Sequence, residues 1–531
     1  MCGLKLFLFG CTIYFITQCS SPSKNSLNLS SNKSYFKTNY EIIFDQSYEQ
    51  VYSPFDEGFS GMSMLCNFLR KNRYDVSVNF LSLKKILPAI EPSGKILFLG
   101  AAMYRRYSND DLSAIDEFLK RGGSVIALAE HDNLFEFSDM QNELVKKYGI
   151  EIQATGAEGA GVTILERIWP KCVSEKLNIS NIRVYYPAPL LLSASAKPLL
   201  QISNFALRSK KIIGAFDHTG KGKIAVIGDA EIFWNMSEGF GAHNPENLQF
   251  FLELCNFLTD FENGKITERQ IFVNRKNSNG DILFITESGS IINKSMSGFF
   301  SLAESLYNSG YNIFESEINN ADANKKYKAV FLIAPFDKNR KFEVLPSAEK
   351  LIIIYDGQTD MLSVNKEFKE LVETLLEAQL PENEIGINFL LKKYNVKIEA
   401  GTLIDGNSSN HFIINNDFEV KNSVLPAKKN KFVFMRSAIL KYFEKIGEED
   451  AERIIITNSK NNIWLDKSIT PISKQYASRP FIKYIENEQN IENNVVFLNK
   501  QIFILCDMEP LSNTFLTENS ELKKIVFDWL K

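Results

Sequence analysis

At 531 residues the chain exceeds the roughly 100–200 residues of one ordinary domain, so two or more cores are expected. Apolar residues make up 44% and charged residues 23%, an ordinary globular balance that excludes wholesale disorder. The 60 Lys and Arg against 64 Asp and Glu leave a net charge of −4, so no basic field exists to attract a polyphosphate and no nucleic-acid partner is expected.

The N-terminus differs from everything after it. Lys5 precedes an apolar run from Leu6 to Ile16, the length of an export-signal core and too short for an ordinary membrane span. It ends in Ile16-Thr17-Gln18-Cys19, which resembles a lipobox despite Gln18 standing where a small residue is usual. Residues 1–18 are therefore read as a signal peptide and Cys19 as the lipid-bearing N-terminus of the mature chain. Residues 19–39, rich in Ser, Asn and Lys, hold too little apolar surface to fold and read as a flexible tether, with folding from near Tyr40. The expected location is the cell envelope, lipid-anchored to a membrane. Four cysteines remain downstream, Cys66, Cys172, Cys255 and Cys506, too few for a disulfide framework and best read as buried thiols.

From Tyr40 onward, short apolar runs (Ile42–Phe44, Ile96–Leu99, Val125–Leu128, Ile224–Ile227) alternate with helical patterns such as Asp110–Arg121 and Asn247–Leu258. That alternation predicts an α/β fold with a mostly parallel sheet between helices. Ile212–Phe216 and Lys223–Ile227 flank Gly220-Lys221-Gly222 and predict an antiparallel hairpin at the same sheet.

The chain then repeats itself. Val145-Lys146-Lys147-Tyr148-Gly149-Ile150 is echoed by Leu391-Lys392-Lys393-Tyr394-Asn395-Val396, and Gly228-Asp229-Ala230-Glu231 by Cys506-Asp507-Met508-Glu509, with Asn235 and Asn513 at one offset. Helices at Met62 to Lys71 and Gly298 to Ser309, and turns at Arg73-Tyr74-Asp75 and Gly310-Tyr311-Asn312, fall in the same order. Two tandem Rossmann-like (flavodoxin-like) three-layer domains are expected, at 40–261 and 280–531, joined by a polar linker at 262–279.

Several of these residues resemble the class I glutamine amidotransferase-like superfamily. They are Asp45 at a strand end, Ser108–Phe118 before Gly122-Gly123, the strand Ser124–Ala129, Lys147-Tyr148-Gly149-Ile150, Gly222-Lys223 and Gly228-Asp229. Within it the likeness is to noncatalytic branches of exported proteins and auxiliary components of gliding-motility ABC transporters. It covers nearly all of 40–260 and, more faintly, 280–531. True amidotransferases carry a cysteine in a Gly-rich elbow; here the corresponding segment is Ala129-Glu130-His131-Asp132-Asn133, so the resemblance implies a binding role without that activity.

In an open α/β sheet, ligands bind beyond the carboxyl ends of the strands. That rule selects Asp45, Gln46, Ser47, Gly100, Ala101, Glu130, His131, Asp132, Asn133, Asp229 and Glu231, with His243 and Asn244 able to reach the rim from a loop. The alternative roles for such groups are helix caps and loop bonds. The Asp-x-Glu-x-x-x-Asn turn occurs in both halves and reads as scaffold. Glu130, His131 and His243 occur only in the first half and are the better functional candidates.

Two further signals carry little. Gly220-Lys221-Gly222-Lys223 lacks the Walker spacing, and no G-x-S-x-G elbow occurs. The expected function is therefore a noncatalytic binding or assembly lipoprotein without a cofactor, whose partner is a cell-envelope protein or small ligand. The alternatives are a metal-assisted hydrolase of a small amide or glycan, with Asp45, His131 and Asp229 holding a divalent metal and Glu130 as base, or a ligand-binding component of a transporter.

If Cys19 carries the lipid, cells fed radioactive palmitate will label the wild-type chain in the membrane fraction and leave the Cys19→Ser variant unlabelled. Equal labelling of the two would overturn the assignment.

Overall fold

The computed structural model describes residues 35–37, 40–157 (except 51 and 101–105), 182–260 (except 194, 205–208 and 237–240), 267–269, 272–333 (except 288), 336, 345–356, 385–399 (except 395), 496–498 and 501–531, together with the backbone of short strands between 402 and 466. Cys19, the signal and most of the tether lie outside the described residues, as do Cys172 and Ala101. Among the described residues no helix is long and apolar enough to cross a membrane.

The chain is α/β, with two mostly parallel sheets. In the first half the strands are β1 (Glu41–Asp45), β2 (Asp75–Asn79), β3 (Lys95–Leu99), β4 (Ser124–Leu128), β5 (Lys197–Asn204), β6 (Ser209–Thr219) and β7 (Gly222–Ile227). Their order is β2-β1-β3-β4-β7-β6-β5. The first five are parallel, and the expected hairpin adds β6 and β5 antiparallel to that edge. In the second half β8 (Asp281–Thr286), β9 (Asn312–Glu317), β10 (Tyr327–Ile333), β11 (Ala348–Ile354), β12 (Val496–Leu498) and β13 (Ile502–Leu505) run in the order β9-β8-β10-β11-β13-β12. Again five strands are parallel and the last is antiparallel.

Period-two burial explains why these sequences are strands. Ile42 and Phe44 face one core while Ile43 faces another, and Phe98, Ile126 and Ile227 oppose Leu97, Val125 and Val226 in the same way. Helix α1 (Ser63–Lys71) and α4 (Pro245–Thr259) cover the first face; α2 (Asn109–Lys120) and α3 (Phe137–Val145) cover the second. Local signals set their limits. Ser108 caps α2 by accepting the Asp111 amide at 3.2 Å, and Asn244 caps α4 by accepting that of Glu246 at 3.1 Å, with Pro245 in the first turn. The second sheet is layered likewise, with α5 (Phe300–Asn308) and α7 (Ser520–Leu530) on one face and α6 (Ile387–Leu391) on the other.

Two asparagines, Asn235 buried and Asn513 partly buried, tie the halves' elements together in the same way. Asn235 Oδ1 accepts the Met64 amide in the first turn of α1, while its Nδ2 donates to the carbonyls of Asp56 and Gly58. Asn513 Oδ1 accepts the Ser301 amide in the first turn of α5, and its Nδ2 donates to the carbonyls of Asn293 and Ser295. Each thereby links the loop after the last parallel strand to the first helix and the loop before it. Asn142 and Asn388 form a second such pair, bridging both backbone groups of Ile152 and of Ile398.

Chain order also departs from the expectation of a tether reaching to residue 39. Tyr35–Lys37 pairs antiparallel with Thr267–Arg269, so the stretch read as spacer and the stretch read as linker contribute one strand each to a two-stranded ribbon.

The first half lies against the strand ends of the second. The Val78 amide at the β2 edge donates to Ser297 Oγ at 3.0 Å, the Phe336 amide donates to Glu57, and Asn67 donates to Glu287. Gly289, at φ +73°, sits so close to the Arg70 backbone that any Cβ there would collide with it. One continuous apolar cluster runs from Phe44 and Leu69 through Ile291 and Phe299 to Phe503 and Trp529.

Asn235→Ala strands buried backbone groups and is expected to lose about 2–3 kcal/mol of stability in urea denaturation, and Asn513→Ala, whose contacts are part-buried, about 1–2 kcal/mol. A loss within a few tenths of a kcal/mol for either would show that the clamp is dispensable.

Candidate functional site

The strand-end face of the first half separates the candidate residues into two groups. Asp45 belongs to the scaffold. Its carboxylate accepts from Ser47 N and Oγ, from Gln50 Nε2 at 2.6 Å and from Asn79 Nδ2 at 2.8 Å, which closes the loop after β1. Gln46 is fully buried and donates to the Tyr52 carbonyl. Asp45, Gln46 and Ser47, expected to face a ligand, are thus engaged by their own loop. Asn133 is a helix-start residue, accepting the Asp139 amide and donating to its carboxylate. Asn244 is the α4 cap, and His243 in the turn Gly241–His243 does not join the cluster described next.

Glu130, His131 and Glu231 do converge. Glu130 follows β4 and Glu231 follows the adjacent β7, so parallel pairing brings two carboxyl groups to one spot. One ligand atom from each of Glu130, His131 and Glu231 lies within 4.8 Å of the others. Oε1 of Glu130 accepts the His131 amide at 3.0 Å and lies 3.6 Å from His131 Nε2. The other ring nitrogen, Nδ1, is 3.2 Å from Asp132 Oδ2, while Asp132 Oδ1 accepts the Gly156 amide. Asp229 sits beneath, its carboxylate taking the amides of Tyr185 and Glu231. The predicted cation ligands therefore need correcting: Asp45 and Asp229 are held by donors within the fold, and Glu231 takes their place beside His131.

Electrostatics follow from this crowding. Burial, and then the charge of Asp229, pushes Glu130 well above the ordinary carboxylate range. Burial raises Asp229 to about 7, and burial with the charges of Glu130 and Asp229 raises Glu231. Tyr52, buried and packed on Trp234 with ring centroids 4.8 Å apart, feels the same three carboxylates.

Tyrosines were missed in the sequence. Tyr186 meets the His131 ring edge-on at 4.9 Å and holds φ at +55°, rare for a bulky residue, and its ring lies where a Cβ on Gly156 would be. Asp132 and Asn133 also have positive φ, as short polar side chains tolerate. No local pattern marks Tyr186, because its position depends on a long excursion of chain.

The second half makes the same turn differently. Asp507 accepts the Glu509 amide at 2.9 Å, as Asp229 accepts that of Glu231. Glu509 then takes hydroxyl hydrogens from Ser297 on Oε1 and Ser512 on Oε2, at 2.9 and 3.1 Å. In the first half Trp234 stands where Ser512 stands in the second, and Oε2 of Glu231 is buried with no hydrogen-bond partner among the described residues, as is Ser60 Oγ. The other expected features are inert: Cys66, Cys255 and Cys506 are free and buried, and burial raises each thiol.

No family model and no curated protein matches this chain. Among solved structures, the N-terminal domain of mmIFT52 is similar at 17% identity and a TM-score of 0.34, over 43% of this chain and 99% of that one. A cytoplasmic protein of Salmonella typhimurium LT2 is similar at 12% identity and 0.30, over 41% and 99%. The carbohydrate deacetylase Agd3 is similar at 10% identity and 0.28, over 54% of this chain and 43% of its own length. Scores this low carry no functional inference, so the assignment of the site rests on its own residues.

Asp45, raised to about 6, and Glu509, raised to about 7, keep protons in the folded chain that the unfolded chain releases near 4. Their contribution to stability is full at low pH and is lost as pH climbs through the folded values, from roughly pH 4 to pH 7. Glu509→Gln removes one of these titrations while keeping the hydroxyl contacts. Its unfolding free energy is expected to fall less than that of the wild type between pH 5 and 7.5, by on the order of 2 kcal/mol; parallel curves would refute the assignment.

Proposed function

We propose that this chain is a noncatalytic, lipid-anchored binding or assembly protein of the cell envelope, built as two tandem Rossmann-like copies, whose first copy offers its strand-end face to a partner protein or small ligand. The corresponding strand orders and the paired asparagine clamps support the duplication. One observation carries the choice of face. In the second half Glu509 takes hydroxyl hydrogens from Ser297 and Ser512, and the β2 edge covers Ser297. In the first half the matching Glu231 has neither hydroxyl donor, its Oε2 is without a partner among the described residues, and it lies beside a partly exposed histidine. A buried acceptor left without a donor costs about 1–3 kcal/mol, and a bound group would relieve that cost.

Burial also argues for binding over hydrolysis. Glu130 is 1% exposed, so its carboxyl lies beneath the rim, away from any substrate large enough to be cleaved there. Asp132, whose side chain is 56% exposed, marks the open side of the rim.

A photo-crosslinking residue placed at Asp132 is expected to give a discrete adduct in intact cells, while one at Lys120, exposed at the opposite end of the same sheet, gives none. Adducts of equal yield from both positions, or from neither, would overturn the choice of face.

A further inference from the structure

We propose that Glu130, His131 and Glu231 bind a divalent first-row transition-metal cation at the strand-end rim of the first half. The inference rests on the reading of that rim as the binding face and gives its ligand a chemical class. Two carboxylate oxygens and one imidazole nitrogen, mutually within 4.8 Å, approach the spacing of donors around an ion with bonds of about 2.0–2.2 Å, and closing the set takes side-chain shifts of under an ångström. The imidazole selects a zinc- or manganese-like ion over calcium or magnesium, which favour all-oxygen sets.

A second observation stands apart from the clustering. Glu231 and Glu509 occupy the same place in the same turn, yet Glu509 takes hydroxyl hydrogens on both oxygens, from Ser297 and Ser512, while Glu231 shares a hydrogen bond with Asp229 and leaves Oε2 without a partner among the described residues. The first half lacks both donors. Trp234 replaces Ser512, and Ser60, which precedes Gly61 as Ser297 precedes Gly298, leaves its hydroxyl unused although it is buried. Two hydroxyls occupy the oxygens of Glu509, whereas Oε2 of Glu231 keeps its lone pairs open for a cation. The ring of His131 is also set for ligation. With Nδ1 at 3.2 Å from Asp132, the proton is held on that side, and Nε2, 3.6 Å from Glu130, faces the cluster as the lone-pair nitrogen. Tyr186 packs against the ring and limits its rotation. Asp132 is a positioning residue in this arrangement.

The full mature chain, stripped with a chelator and titrated with zinc and then manganese by calorimetry, is expected to take about one ion of at least one of these metals per chain. Glu231→Gln and His131→Asn should each weaken binding at least tenfold, with circular dichroism unchanged, and Asp132→Asn should weaken it roughly tenfold through the ring's orientation. Loading with cobalt should give a visible spectrum that the His131→Asn variant loses. Should Glu231→Gln fail to fold, the partly exposed His131 carries the test alone. Binding of well under one ion per chain, or binding that both variants retain, would overturn the proposal. If the cation is absent while the crosslink from Asp132 persists, the cation falls and the binding face stands.

Discussion

Every polar group carried into the interior at the strand ends must find a partner there, and this constraint shapes both halves of the molecule. The parallel strands deliver Asp45, Glu130, Asp229 and Glu231 to one end of the first sheet, and Asp356, Asp507 and Glu509 to the corresponding end of the second. Leaving any of them without donors costs about 1–3 kcal/mol, a sizeable part of a domain's net stability. Most are satisfied by a short list of residues at fixed offsets: the amide two residues on for Asp229 and Asp507, and the loop donors Ser47 and Gln50 for Asp45. Asn235 and Asn513 do more, joining three segments of chain through one side chain each.

The halves differ in where this satisfaction comes from. In the second, Ser297 stands between the two halves, accepting the Val78 amide and donating to Glu509, so docking of the first half completes the second half's polar interior. The apolar cluster running through both sheets adds the larger, non-directional share of that attachment. A second half built this way keeps its strand ends for the first half. The first half has no such cover in the contacts described, and its rim retains the histidine, the crowded carboxyls and the strained Tyr186. Strain of this sort, with positive-φ residues Asp132 and Tyr186 from two loops meeting at the His131 ring, persists only where surrounding contacts over-determine it.

Much of the fold was legible in the chain. Alternation of apolar runs with helical periods carried the α/β class, and Gly220-Lys221-Gly222 marked the hairpin, because both depend on neighbours within about ten residues. The site was half legible. The strand-end rule selected Glu130, His131 and Glu231 together with Asp45, Gln46, Ser47 and Asn133, and comparison of the halves set Glu130 and His131 apart, but it also favoured His243, which does not join the cluster, and left Glu231 to the scaffold turn. Separation depended on which donors lay nearby in space: Asn79 for Asp45 comes from the neighbouring strand and Tyr185 for Asp229 from a distant loop. One clue did lie in the sequence, the exchange of Ser512 for Trp234 within otherwise parallel turns, and its meaning depended on knowing that the serine hydroxyl reaches Glu509.

The sequence by itself determined the α/β layering, the compositional break at the N-terminus and the set of polar residues that strand ends would gather, since these follow from local periodicity and composition. Only the tertiary structure decided that the second half's rim is closed by the first, that Asp45 serves its own loop, and that Glu231 meets Glu130 and His131. Those outcomes turn on contacts between residues separated by tens to hundreds of positions. A side chain's chemistry is written at its own position, whereas its satisfaction depends on what the fold brings within about 3 Å of it.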